Sequence, residues 1–170
     1  MRINTYSLAD YTLTIKYNDD NESVTPSVVK SIIGSGYTIG GPGNNGEGSF
    51  VGSITVSRNS SLWDTSGDHT GSWVHNQNLD RTGSITISIN QISEDVIKFA
   101  QICSAYETIQ GKYGGLQLIV TSANGVQGIV ATGDDCFIKQ IPSQNLGDSA
   151  DNQPWEFTCG RIQFYPDANV

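Results

Sequence analysis

Apolar residues recur at every second position in several stretches of this chain and at three-four spacing in one. From Ser84 to Gln91 the isoleucines Ile85, Ile87 and Ile89 alternate with Ser84, Thr86, Ser88 and Asn90, which is the period of a strand with one face in a core. Its other face is small, hydroxylated and uncharged. With almost no connection the chain then enters "SEDVIKFAQICSAYE", where Val96, Phe99, Ala100, Cys103 and Tyr106 form one apolar stripe. Ser93 reads as a helix N-cap, and Glu94 and Asp95 place negative charge in the first turn. Ile92 is positioned to staple onto Ile97, and Gly111 is a natural stop. The spacing predicts one long helix over about residues 94–109.

The same alternation marks other strands. "YTLTIKY" sets Tyr11, Leu13, Ile15 and Tyr17 against Thr12, Thr14 and Lys16, and ends in the turn-like "NDDNES". A weaker segment, "VVKSII", and a glycine-rich run from Gly34 to Gly52 follow, with residues 34–48 reading as an insertion. "FVGSITVS" then places Phe50, Ile54 and Val56 on one face and Ser53, Thr55 and Ser57 on the other. Past the helix, "LQLIVTS", "GIVAT", "CFIKQI" and "WEFTCGRIQFY" all suit strands, and "TGDDC" reads as a hairpin tip. In the last of these Trp155, Phe157 and Cys159 share one parity while Ile162 and Phe164 take the other, so a bulge is predicted at Gly160. Between two of the strands lies Arg58 to Thr82, polar but carrying Trp63, Trp73 and Leu79. A loop of that length is unusual unless it is functional or disordered, and the tryptophans speak against simple disorder. The pattern as a whole is mainly β with one flanking helix, in a single domain over residues 1–170.

Composition narrows the functions. Charged residues make up only 15 %, glycine numbers 19, and the net charge is -8, so the chain has no basic footprint for gripping phosphates. It shows neither a basic segment leading into an apolar run at its start nor an apolar stretch near the ~20 residues of a membrane span, and the expectation is a soluble protein used without export. Cys103, Cys136 and Cys159 lack any Cys-x-x-Cys spacing and each sits in an apolar element, as buried free thiols of a reducing compartment do.

Sites of chemistry fare poorly. Gly41 to Gly46 matches G-x-G-x-x-G, but a strand pattern follows where a dinucleotide fold needs a helix N-terminus. His69 and His75 stand near Asp64, Asp68 and Asp80 without any recognised metal-ligand spacing. No serine occupies a G-x-S-x-G elbow. Trp155 and Phe157 suit either a stacking platform for sugars or bases or, more simply, the core. No catalytic, metal or cofactor residue is nominated, which points away from an enzyme and towards a structural protein that works through its faces and edges.

Four segments taken together, "NTYSLADYTLTI", "GSFVGSITVSRN", "GDHTGSWVHNQNLDRTGSITISINQIS" and "WEFTCGRIQFY", resemble the tail tube proteins of contractile-tailed bacteriophages in order and spacing. The resemblance implies a β-sandwich or partly rolled barrel flanked by a helix, six copies closing into a ring, and rings stacking into a hollow tube through which DNA passes. It implies, as partners, further copies of the chain, sheath, baseplate and tail terminator proteins, and tape-measure protein and transiting DNA in the lumen, with no cofactor and no membrane insertion. The expected location is the virion tail, after synthesis in the bacterial host cytoplasm. On this reading Ser53, Thr55, Ser57, Ser84, Thr86, Ser88 and Asn90 are candidates to line the lumen, or else are solvated on the outer wall. The 58–82 loop carries the candidate contacts between subunits or rings: Trp63, Asp64, Asp68, His69, Trp73 and Leu79. A tube from another contractile injection system and a monomeric carbohydrate-binding β-sandwich are the alternative readings.

Overall fold

In a computed structural model, residues 8–17, 25–40, 51–107, 114–122 and 128–166 are described. The alternating stretches become strands because each offers one apolar face. They are β1 (Tyr11–Tyr17), β2 (Tyr37–Gly40), β3 (Val51–Arg58), β4 (Trp63–Gly67), β5 (Trp73–Gln77), β6 (Gly83–Asn90), β7 (Leu116–Ser122), β8 (Ile129–Ile138) and β9 (Asn152–Phe164). Seven form one antiparallel sheet in the order β2-β1-β7-β8-β9-β6-β3, and β4 and β5 form a separate two-stranded ribbon. The burial of Leu13, Ile15, Ile85, Ile87, Ile89, Leu116, Leu118, Trp155 and Phe157 puts the core on one face of the sheet.

Two helices cover that face. The long one, α2 (Glu94–Glu107), begins where expected, and the Ser93 hydroxyl accepts the Asp95 N–H at 3.3 Å. Its predicted end at Gly111 lies outside the described residues. Phe99 is the plug, meeting Trp155 and Phe157 edge-on with ring centroids 5.5 Å away in both cases. The buried stripe is rotated from the expected one, because Ile102 and Ala105 are buried and Val96 is only half-buried. Ile92 and Ile97, the expected staple pair, both remain exposed.

The segment "VVKSII" is a second helix, α1 (Ser27–Ile33), which local pattern did not reveal. Its β-branched residues have no strong helix preference, but Val29 and Ile33, four apart, are both buried, and this tertiary burial decides the conformation. Gly34 ends α1 with φ 58°, and the edge strand β2 follows, while residues 41–50 lie outside the described set. Tyr37 of β2 donates to the Asp95 carboxylate at the start of α2, tying the sheet edge to the helix. Burial, then this bond and the charges of Asp95 and Glu94, push the Tyr37 hydroxyl pKa up.

The parity change in β9 is present, with Cys159 and Ile162 both buried and Gly160 and Arg161 exposed between them. Its cause involves two strands. Gly83 is opposite Cys159, yet the Ile162 N–H bonds to Arg81 O, one residue out of step. On the other side the register of β7 against β8 shifts between Leu116 and Leu118. The β8–β9 ladder itself runs unbroken through Asp134↔Arg161 and Cys136↔Cys159. Both strands therefore carry an extra residue at the same level, β8 relative to β7 and β9 relative to β6. "TGDDC" is thus not a hairpin tip: Asp134 and Asp135 lie inside one long strand, and Asp135 absorbs the extra residue at φ 54°, a conformation aspartate tolerates better than most. Gly115 makes room, since a Cβ there would meet the Asp135 backbone at 2.6 Å.

The sheet curls into a half-barrel around its apolar face. Tyr11 and Val120 from one side and Ile54 and Val56 from the other line a single cavity of about 270 Å³. A Cβ on Gly40, at one edge, would stand 3.7 Å from Val51 at the other. The apolar face is therefore concave, and the hydroxylated face is the outside of the curl.

Candidate assembly surfaces

The hydroxylated residues of β3 and β6 meet in register. Ser53 stands opposite Ser88, Thr55 opposite Thr86 and Ser57 opposite Ser84, with the last two hydroxyl oxygens 3.3 Å apart. Asn90 faces Asn152 of β9 and donates to its side chain at 3.3 Å. All seven residues singled out from the sequence thus lie on one continuous convex strip. The sheet extends that strip further than the pattern within β3 and β6 indicates. Thr158 lies opposite Ser84 and Glu156 opposite Thr86, so a charge enters a face that reads as uncharged in β6 alone. Glu156 pairs with Lys139 at 3.7 Å across the surface. Only strand pairing identifies these neighbours.

β3 is an edge strand, bonded to β6 on one side and to no strand on the other among the described residues. It is eight residues long, lacks proline, and carries a charge only at Arg58. These are the properties of an edge open to pairing, since natural edges are usually kept short or charged. Arg58 is itself engaged, donating to Ile162 O at 2.9 Å and lying over the Phe164 ring.

The stretch expected as a long loop is an arm. Asn59 N–H bonds Thr82 O, Asn78 N–H bonds Leu62 O, and beyond them β4 and β5 pair as a ribbon whose every residue is exposed. Asp80 ties the root by accepting from the Ser60 and Thr82 hydroxyls and the Thr82 N–H. Asp68 ties the tip by accepting from the Thr70 N–H and hydroxyl and the Ser72 N–H. These bonds lower both carboxyl pKa values, the Thr70 hydroxyl leading at Asp68 and the Thr82 N–H at Asp80.

Pairing sorts the candidate contact residues. Trp63 and Trp73 share one face of the ribbon, with Thr65 and His75 between them bonded at 2.7 Å. They are 53 % and 68 % exposed. Asp64 is on the reverse face with Val74, His69 stands exposed beside Asp68 at the tip, and Leu79 is exposed at the root. A two-stranded ribbon with no buried residue has no core of its own. A second exposed apolar group, Ile92, Ile97 and Leu146, sits by the opposite end of β6, where the Gln91 side chain bonds Asn145 O and the Asp151 N–H.

Chemistry does not gather on the arm. Its root and tip carboxylates are engaged in loop hydrogen bonds, and among the described residues no group of three or more metal-ligating side chains converges. Trp155 and Phe157 are fully buried and form no exposed stacking platform. The glycine motif at 41–46 lies outside the described residues.

Among the described residues the fold thus combines a curled sheet, an edge strand β3 with one strand neighbour, and an exposed aromatic arm. The family of the bacteriophage PhiTE tail tube protein matches residues 23–165. The chain belongs to this tail tube family, whose members are structural components of the virion tail. No curated protein matches it. Among solved structures it is similar to a chain of an extracellular contractile injection system's PVC sheath/tube terminator in the extended state, at 10 % identity and TM-score 0.50, covering 96 % of this chain and 98 % of that one. A chain of the anti-feeding prophage baseplate gives 12 % identity and TM-score 0.49, with 98 % and 99 % covered. The first of these likenesses is one of fold. No helix among the described residues is long and apolar enough to cross a membrane.

Proposed function

We propose that this chain is the repeating subunit of a bacteriophage tail tube, closing as hexamers into rings that stack into the hollow conduit for DNA. The observation that carries the reading is the pairing of an open edge, β3, with a core-less arm that exposes Trp63 and Trp73, in a member of the tail tube family. Ring closure consumes an edge by pairing it with the next subunit, which removes the association hazard an open strand otherwise presents. The arm reaches a neighbouring subunit or ring and buries its aromatic face there. Ile92, Ile97 and Leu146, by the other end of β6, offer apolar surface at a second contact.

The convex strip of Ser53, Thr55, Ser57, Ser84, Thr86, Ser88 and Asn90 lines the lumen. Small hydroxyls present neither cations to capture phosphates nor rings to stack on bases, and the net charge of -8 adds repulsion. In this role the subunit meets tape-measure protein and DNA on the inside, sheath on the outside, and baseplate and terminator proteins at the ends. It is made in the host cytoplasm and works in the virion tail.

Negative-stain electron microscopy over a concentration series, beside sedimentation velocity, tests the reading. Stacked rings with an open centre are expected, and a subunit-resolved map should place the hydroxylated strip on the bore. A monomer that never assembles, even on a baseplate, and binds glycans through the arm tryptophans would overturn it. Because each copy is acidic, assembly should strengthen as salt rises from low ionic strength, where screening extends only beyond ~10 Å or more.

A further inference from the structure

Cys136 and Cys159 are directly opposed in the unbroken β8–β9 ladder, and both are buried on the core face. The Cys136 thiol donates to the Cys159 sulfur at 2.7 Å, and the Cys159 thiol lies 3.7 Å from Phe157 O. Directly opposed strand residues have Cα atoms about 4.5–5.5 Å apart, inside the window of about 4.4–6.8 Å that a disulfide spans. Gly133 contributes, because a Cβ there would stand 3.0 Å from each of the two sulfurs. Cys103, on α2, has no such partner in the described structure and is a separate buried thiol.

We infer that Cys136 and Cys159 form a site of reversible disulfide formation, open while the chain is in a reducing medium and closed when it meets an oxidising one. The oxidant is a small-molecule disulfide such as oxidised glutathione. Both S–H bonds break and one protein S–S bond forms. The two electrons and two protons convert the oxidant into two free thiols, through a mixed disulfide resolved by the second cysteine. Both thiols are buried, so the oxidant reaches them only when the sheet opens locally; the doubled bulge next to the pair, where Asp135, Gly160 and Arg161 are exposed and the ladders to β7 and β6 are out of step, is the place inferred for that opening. The hydrogen bond to Cys159 and then burial raise the Cys136 thiol pKa, so little thiolate forms at neutral pH and closure is slow. The product is a structural staple across the bulged level of β8 and β9, rather than a fast sensor.

The test is equilibration of the purified full chain with oxidised glutathione, then alkylation under denaturing conditions and non-reducing peptide mapping. The expected result is a mass loss of about 2 Da, one linked peptide pair containing Cys136 and Cys159, and Cys103 alone alkylated. A staple closing a loop of about 24 residues should raise the melting temperature by about 10 °C, reversibly with dithiothreitol. Cys103→Ala should behave as the wild type, and Cys159→Ser should lose the link. Three alkylatable thiols after equilibration, a persistent glutathione adduct, or a link through Cys103 would overturn the proposal. The mapping is done on the wild-type chain, so it holds even if Cys159→Ser does not fold, and it does not depend on tube assembly.

Discussion

Replacing Trp73 by alanine separates a role in assembly from a role in folding. An aromatic side chain buries about 150–250 Å² when wholly enclosed. Trp73 is 68 % exposed in the isolated chain, so roughly a third of that area is covered by the arm itself. At about 25 cal/mol per Å² the covered part contributes on the order of 1 kcal/mol to the monomer, and in a domain of this size that is about 3 °C of melting temperature. The exposed two-thirds, if enclosed by a neighbouring subunit, contributes about 3 kcal/mol to each contact, a change of roughly 100-fold in association. Trp73→Ala should therefore melt within a few degrees of the wild type by circular dichroism. Its polymerisation, followed by sedimentation velocity and electron microscopy, should need a concentration about two orders of magnitude higher. A fall in melting temperature beyond about 10 °C would place Trp73 in the folding core. Unaltered polymerisation would remove it from the interface. Either result refutes the assignment of the arm.

Further predictions concern the body and the root of the arm. In Gly83→Ala the new Cβ would stand 2.2 Å from Ser57 O and 2.7 Å from Ile162 Cδ1, so β3 and β9 must shift and the variant should lose about 1–3 kcal/mol or more in urea unfolding. Phe99→Ala removes the ring against which Trp155 and Phe157 pack and should cost about 3–5 kcal/mol by the same measurement. The Asp80 carboxyl pKa is lowered by the Thr82 N–H first and the Ser60 and Thr82 hydroxyls next. A group with a depressed folded-state pKa stabilises above its ordinary value of about 4, and that contribution is lost as pH falls through the folded value. The arm root should therefore loosen below about pH 4, seen as a change in fluorescence from Trp63 and Trp73. In Asp80→Asn the part of that acid step due to the root should be absent, leaving only the part due to Asp68 at the tip.

Much of this architecture is local and so was readable along the chain. Alternation identified β1, β6 and β7, because a half-buried strand exposes its period directly. The Ser93 cap marked the start of α2, because capping is a contact between near neighbours. The parity change at Gly160 was likewise visible, since a bulge moves every later side chain to the other face. What stayed hidden was decided by partners far away in sequence. "VVKSII" became a helix because Val29 and Ile33 found the core. "GIVAT" and "CFIKQI" merged into one strand because β9 carries an extra residue at the same level as β8. The arm needed the pairing of Trp63 with Gln77 and Gly67 with Trp73 before its aromatic face could be seen. The same holds for the thiols: composition yields three unpaired cysteines, while only the β8–β9 register sets Cys136 against Cys159. Sequence by itself determined which faces are apolar and where turns begin, because those follow from side-chain period and local backbone chemistry. The tertiary structure alone decided which strip is convex, which edge is open and which residues meet, because those depend on the curl and register of a sheet closed by contacts between distant segments.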